Sequence, residues 1–231
     1  IGEYMAHLPG ASMLGDPMFK EIPETTSGQD RISVEMAGYG VTSYHRCDEM
    51  VADAACLYLN ERAIGDDQRP FAAVVGFIMP HCPYFAPKEL FDYYYKRVDV
   101  PQPTPQELAQ EPEPIKEFKR LRGLDEPLSF EQIRVARAAY YGMCEFVDRQ
   151  TGRILDVLEE SGLAENTLVI YSTDHGEMAG AHGCWWKSNY YEQSVAIPLI
   201  ARLPGVVPSN VKNTAICNTI DLGPTLIEMA D

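Results

Sequence analysis

Asp174 and His175 stand side by side just after an apolar run, Leu168 to Ile170, and His182 and Lys187 follow along a glycine-rich stretch, "YSTDHGEMAGAHGCWWK". In a continuous strand, adjacent side chains point to opposite faces, but where the chain turns both can aim at one point. A carboxylate and an imidazole aimed together suit a divalent cation, and Gly176 permits close backbone approach. A lysine beyond the loop would then meet an anion held by that cation. Each residue also has a plainer reading. Asp174 can cap the next helix with His175 satisfied by it, and Lys187 alone is an ordinary solvated charge. His182 either touches substrate or braces the loop.

A second candidate lies in "PHCPYFAP", directly after the apolar run "FAAVVGFIM". His81 is flanked by Pro80 and by Cys82-Pro83, and the prolines restrict the backbone that carries it. Its imidazole titrates in the range needed to donate a proton to a leaving oxygen, although an isolated His is also a common structural residue. His7 and His45 fall in stretches read as irregular and receive no role.

Positioning these groups requires a scaffold, and the sequence pattern supplies one. Phe71 to Met79 is continuously apolar and short, as expected for a strand buried on both faces. Cys47 to Arg62 carries Met50, Val51, Ala54, Leu57 and Tyr58 at helical spacing. Ser129-Phe130-Glu131-Gln132 is a capping-box pattern opening a long helix. Ile133, Ala136, Tyr140, Met143, Val147, Ile154 and Leu158 mark its buried stripe, and Gly162 marks its end. "TLVIYST" and "VAIPLIAR" read as two more strands, and a further helix begins near Asp221. This order predicts an α/β chain with a largely parallel sheet covered by helices on both faces. Ligands of such sheets lie beyond the carboxyl ends of the strands, where both clusters fall. Residues 1–42 read as an irregular segment. Residues 98–128, rich in Pro, Gln and Glu, read as a surface insertion on the substrate side, with Trp185 and Trp186 as further lining elements.

Composition narrows the partners. The 231 residues carry 19 basic and 34 acidic side chains, a net charge of −15. That argues against nucleic acid or an anionic membrane, both of which need clustered Lys and Arg. It leaves open an anionic small molecule, because a bound cation reverses the local field. No apolar stretch reaches the ~20 residues of a membrane span. The six scattered cysteines form neither a zinc-site spacing nor a disulfide framework, and as free thiols they point towards a reducing compartment.

Taken in order, these motifs resemble the sulfatase branch of the alkaline-phosphatase-like hydrolases. "RPFAAVVGFIMPHCPYFAP" resembles that family's strand and His-x-Pro-aromatic turn. The segment from "YYGMCEFVDRQ" through "DHGEMAGAHGCWWK" to "IARLPG" resembles its long helix, metal strand, glycine-rich loop and Lys. "DLGPTLIEMA" resembles its Asp-Leu-x-Pro-Thr helix. The resemblance implies an incomplete alkaline-phosphatase-like domain that acts on small-molecule sulfate esters as a sulfuric ester hydrolase. Asp174 and His175 would be metal ligands, Lys187 and His81 would hold the sulfuryl oxygens or assist the departing alcohol, and His182 would touch substrate. The implied metal is calcium, with manganese and zinc as alternatives for a site that includes an imidazole.

The same resemblance exposes a gap. The family's nucleophile sits in Cys/Ser-x-Pro-x-Arg and matures to formylglycine. No such pentapeptide occurs here, since Cys82-Pro83-Tyr84 has the wrong spacing. The paired aspartates of the family's first metal strand and its early Lys-x-His also lack counterparts. The chain is therefore expected to be an internal piece of a longer catalytic domain, partnered by the remainder of that domain. Alone it should be inactive, which a metal-supplemented sulfatase assay would refute by showing turnover. Two alternatives stand beside sulfate ester hydrolysis: a phosphonate monoester or phosphodiester hydrolase of the same superfamily, and a non-catalytic oxyanion-binding homologue.

Overall fold

The longest helix forms where the local signals agree. In the computed structural model, which describes residues 29–66 and 69–230, Ser129 and Gln132 cap each other reciprocally. The Gln132 amide N–H donates to Ser129 Oγ (3.2 Å), and the Ser129 N–H to Gln132 Oε1 (2.8 Å). The helix then runs Phe130–Glu160, and Gly162 follows its last residue and the Ser161 cap at φ +75°. In chain order the elements are α1 (Arg31–Glu35), β1 (Gly38–Tyr39), α2 (Ser43–Ile64), β2 (Phe85–Ala86), α3 (Lys88–Tyr95), α4 (Pro105–Ala109), α5 (Glu113–Leu121), α6 (Phe130–Glu160), β3 (Val169–Ser172), α7 (Glu192–Val195), β4 (Leu199–Arg202) and α8 (Leu222–Ala230).

α6 is the spine of the fold. Ile133, Ala136, Ala139, Met143, Phe146 and Val147 are buried along it. The small residues let neighbours approach closely. A Cβ placed on Gly142 would lie 2.6 Å from Ala86 Cβ and 3.3 Å from Leu90 Cβ, so β2 and α3 sit directly on this stretch. The main core gathers these side chains with Tyr84, Met79, Leu90, Trp185 and Trp186.

Three expectations meet a different arrangement. Among the described residues the sheets are small: β1 pairs with β2 in parallel, and β3 pairs with β4 antiparallel. A largely parallel sheet with helices on both faces is therefore not what these residues form. The run Phe71 to Met79 adopts no ladder among the described residues, and Val74 is 100 % exposed. An apolar run becomes a buried strand only when other strands flank it, and here the last two backbone N–H groups of the run go to a side chain instead. On α2 the buried face is Tyr44, Asp48, Ala52 and Leu59, whereas Met50 and Leu57 are exposed. That face is selected by contacts to the His81 turn and to α6, not by apolar spacing alone.

Of the stretch read as irregular, residues 1–28 lie outside the described residues, and α1 and β1 fold within the rest. His45, read as lying in an irregular stretch, belongs to the first turn of α2. There it accepts a hydrogen bond from the Thr42 N–H at Nδ1 (3.0 Å) and packs edge-on against Phe146. The Pro-rich segment holds α4 and α5, and Pro105 at the start of α4 follows a Thr104–Glu107 capping box. All six cysteines are free. No helix among the described residues is long and apolar enough to cross a membrane.

Candidate active site

The stretch after β3 turns sharply because its backbone is pressed against α7. The Gly176 N–H donates to Ser194 O (2.8 Å), and a Cβ at Gly176 would fall 2.1 Å from Gln193 O. The close approach expected of this glycine is thus required here. Just before it, the His175 ring donates through Nδ1 to Gly176 O (2.7 Å), which leaves the Nε2 lone pair as the outward-facing donor atom. Lys187 Nζ lies 2.6 Å from that Nε2, and Asp174 Oδ2 lies 3.5 Å from it. Asp174 is well exposed and His175 partly so. The three residues suggested by spacing therefore share one point.

The loop between them is a fold of its own. Met178 N–H donates to Trp186 O, and Gly180 N–H to Cys184 O, which closes a narrow hairpin-like turn. Ala179, His182, Trp186 and Ser188 all have positive φ, and Trp186 at +62° immediately precedes Lys187. Bulky residues in the left-handed region are held there only when surrounding contacts demand it. Glu177 supplies that demand: its Oε1 accepts from the Ala179 N–H (2.9 Å) and the Trp186 N–H (2.6 Å). Part of Glu177 stays accessible, but its carboxyl is enclosed and burial pushes it up to about 7 against the pull of those donors, Tyr84 and Lys187. Sequence reasoning passed over Glu177; its place two residues after His175, at the mouth of the loop, was the available signal.

His81 comes from the other direction, on the turn between residue 79 and β2. Its ring Nδ1 pairs with Cys82 O (2.7 Å), so this imidazole too is anchored through one nitrogen with Nε2 left free. Burial holds its pKa below the ordinary value, opposed by the Cys82 carbonyl, and Lys187 and His175 lower it further while Asp174 raises it. Those three groups thus act electrostatically on His81, which sets both turns around one locality. The turns also touch through aromatic packing, with the Tyr84 and Trp185 rings 5.3 Å apart.

Two candidates take other places. His182 stacks face to face on Tyr191, at 4.1 Å between ring centroids. That contact is what bracing the loop looks like. Trp185 and Trp186 are 1 % and 2 % exposed, so they are core residues beneath the loop and do not line a binding surface. The Pro-rich segment does border the loop, because Arg137 joins Asp99 (2.7 Å) to Ala179 O (2.6 Å). Lys119, ion-paired with Glu111, lies against Gly183.

The donors present fit half of a metal site. Oδ2 of Asp174 and Nε2 of His175 are spaced so that both could reach one ion at the usual ligand distances of about 2.0–2.4 Å, provided Lys187 Nζ, now 2.6 Å from that Nε2, moves off it. Among the described residues no three His, Cys, Asp or Glu side chains converge, so the ligand count of a complete site is not met by these residues alone.

Comparison with known proteins follows the same lines. The family model described as Sulfatase matches residues 15–231. The choline-sulfatase of Rhizobium meliloti is 30% identical over 207 residues, covering 86% of this chain and 40% of the relative. The arylsulfatase of Clostridium perfringens is 32% identical over 168 residues, covering 71% and 35%. This chain thus spans about 35–40% of the length of these curated relatives. Among solved structures, the phosphonate monoester hydrolase of Silicibacter pomeroyi superposes with a TM-score of 0.63 at 26% identity, covering 78% of this chain and 38% of that one. A 2-O GAG sulfatase superposes with a TM-score of 0.65 at 19% identity, covering 84% and 43%, a likeness of fold.

Proposed function

The chain belongs to the sulfatase family, and we propose that the full-length protein hydrolyses small-molecule sulfate esters at a site to which this chain contributes Asp174, His175, Lys187 and His81. The observation that carries the proposal is that His175 Nε2 has the Lys187 ammonium 2.6 Å away on one side and the Asp174 carboxylate 3.5 Å away on another, with His81 under their electrostatic influence. The family implies a divalent metal. Asp174 and His175 would hold it together with ligands from elsewhere in the protein, and calcium is the ion proposed because the family resemblance implies a pair of aspartates among those ligands. Bound there, a divalent ion supplies Lewis acidity and neutralises an oxyanion.

The chain's own residues hold the substrate's charge and supply the proton. Lys187 places a fixed positive charge against the sulfuryl oxygens, where charge stabilisation is worth most in a site shielded from water. His81, neutral in the free site because burial and Lys187 disfavour its protonation, presents Nε2 to the substrate; an entering anion raises its proton affinity and makes it a donor to the departing alcohol. The attacking nucleophile, a formylglycine in this proposal, comes from outside this chain, as do the strands that would extend β1–β2 and the run at 71–79 into an alkaline-phosphatase-like sheet.

A second reading has one observation in its favour, the phosphonate monoester hydrolase superposition. Both substrates are tetrahedral oxyanion esters, so the test is comparative. The full-length protein is assayed with matched aryl sulfate and aryl phosphonate monoesters, before and after Lys187→Ala. We expect higher kcat/KM for the sulfate and a loss of about 10²-fold or more in the variant. Preference for the phosphonate selects the second reading, and no turnover of either ester rejects both.

A further inference from the structure

A buried carboxyl group on a different element lies beneath the start of the His81 turn. Asp48, on the buried face of α2, is 0 % exposed. Its two carboxylate oxygens are divided between two consecutive backbone donors: Ile78 N–H to Oδ1 (2.9 Å) and Met79 N–H to Oδ2 (3.0 Å). These are the last residues of the unpaired run, and the turn that carries His81 begins on them, since the His81 N–H donates to Ile78 O (3.1 Å). One helical turn before Asp48, the Tyr44 ring meets the His81 imidazole edge-on, at 6.4 Å between centroids and 81° between planes. α2 therefore grips the His81 turn at both ends, with a carboxylate under its start and an aromatic face beside its functional ring.

The chemistry suits a clamp better than a filler. Two parallel N–H donors need two acceptors side by side, which a carboxylate offers and a carboxamide does not, because its NH2 would face one of the donors. Burial raises the Asp48 pKa, and the two N–H bonds oppose that shift in part. An apolar side chain here would leave both N–H groups without this acceptor. We propose that Asp48, assisted by Tyr44, is a positioning residue for His81: it fixes the 78–81 turn so that the imidazole meets the Lys187–His175–Asp174 cluster. This rests on the reading of His81 as part of the sulfate ester site.

The test uses the full-length protein and an aryl sulfate. Asp48→Asn is made in the unmodified protein and in a His81→Ala background, with thermal unfolding checked for each. Small misplacements of a catalytic group cost up to about 10²-fold. We expect Asp48→Asn to lower kcat by about tenfold or more while KM moves less than about threefold. In the His81→Ala background the same change should cost less than about twofold further, because contacting residues that act as a unit are non-additive. Equal losses in both backgrounds, or an unchanged kcat, overturn the proposal. Should Asp48→Asn fail to fold, Tyr44→Leu enters the same cycle with the same expectation. Amide hydrogen exchange of the full-length protein separates this proposal from the functional reading. Faster exchange at Ile78 and Met79 in Asp48→Asn than in the unmodified protein, with residues 71–77 unchanged, is required by the clamp whatever the substrate. Unchanged exchange at these two residues overturns the clamp even where sulfate esters turn over, and faster exchange without sulfate ester turnover by the unmodified protein sinks the functional reading instead.

Discussion

His45 shows how one buried side chain writes a pH dependence into the fold. It is 1 % exposed at the start of α2, and burial lowers its pKa to about 4. The unfolded chain takes up this proton near its ordinary value of about 6.5, whereas the folded chain refuses it until about 4. The unfolded state therefore binds more protons in that window. The stability linked to His45 is complete above about pH 6.5 and is lost as pH falls towards 4, by at most about 3 kcal/mol. His45→Gln keeps an acceptor for the Thr42 N–H and cannot titrate. Urea midpoints of the full-length protein at about pH 7.5 and about pH 5 should differ less in this variant than in the unmodified protein. An equal pH dependence in both would remove His45 from the account. The same scale explains what spacing did reveal. Asp174, His175 and Lys187 are close in sequence, so their shared point follows from one turn and one loop. Asp48 and Glu177 were overlooked because their work is done on backbone N–H groups, and which N–H groups lack partners is decided by the fold.

At the scale of elements, α6 and the strands β3 and β4 were legible, whereas the pairing of the run at 71–79 and the short helices of the Pro-rich segment were not. α6 announces itself through its capping box, its apolar stripe and its terminal glycine, all within residues 129–162. A strand is defined by a neighbour that local sequence does not name, so the apolar run at 71–79 was readable as extended and unreadable as paired. The packing of α6 also depends on a residue the stripe omits. Gly142 lets β2 and α3 lie against the helix, and even one methyl group would sit 2.6 Å from Ala86 Cβ. Gly142→Ala should therefore destabilise the protein by about 1–3 kcal/mol despite alanine's better helix propensity. Denaturant unfolding checks this, and unchanged or increased stability would show that the α6–β2 contact yields more readily than its geometry implies.

For the whole molecule, the exposed apolar run at 71–78, the open two-stranded sheets and the coverage of about 35–40% of the curated relatives belong together. Two turns far apart in sequence, one after residue 79 and one after β3, are brought to a common locality by α2, α6 and the Tyr84–Trp185 contact. A carboxylate, an imidazole and a cation are gathered there, in a chain whose overall charge is −15. The direct measurement is a double-mutant cycle on aryl sulfate hydrolysis by the full-length protein, combining His81→Ala with Lys187→Ala. If both side chains grip one anion, each single change lowers kcat/KM by about 10²-fold or more, and the double variant is little worse than the poorer single one. Losses that simply multiply, or a single variant with full activity, would place the two residues in separate surroundings and contradict the shared site.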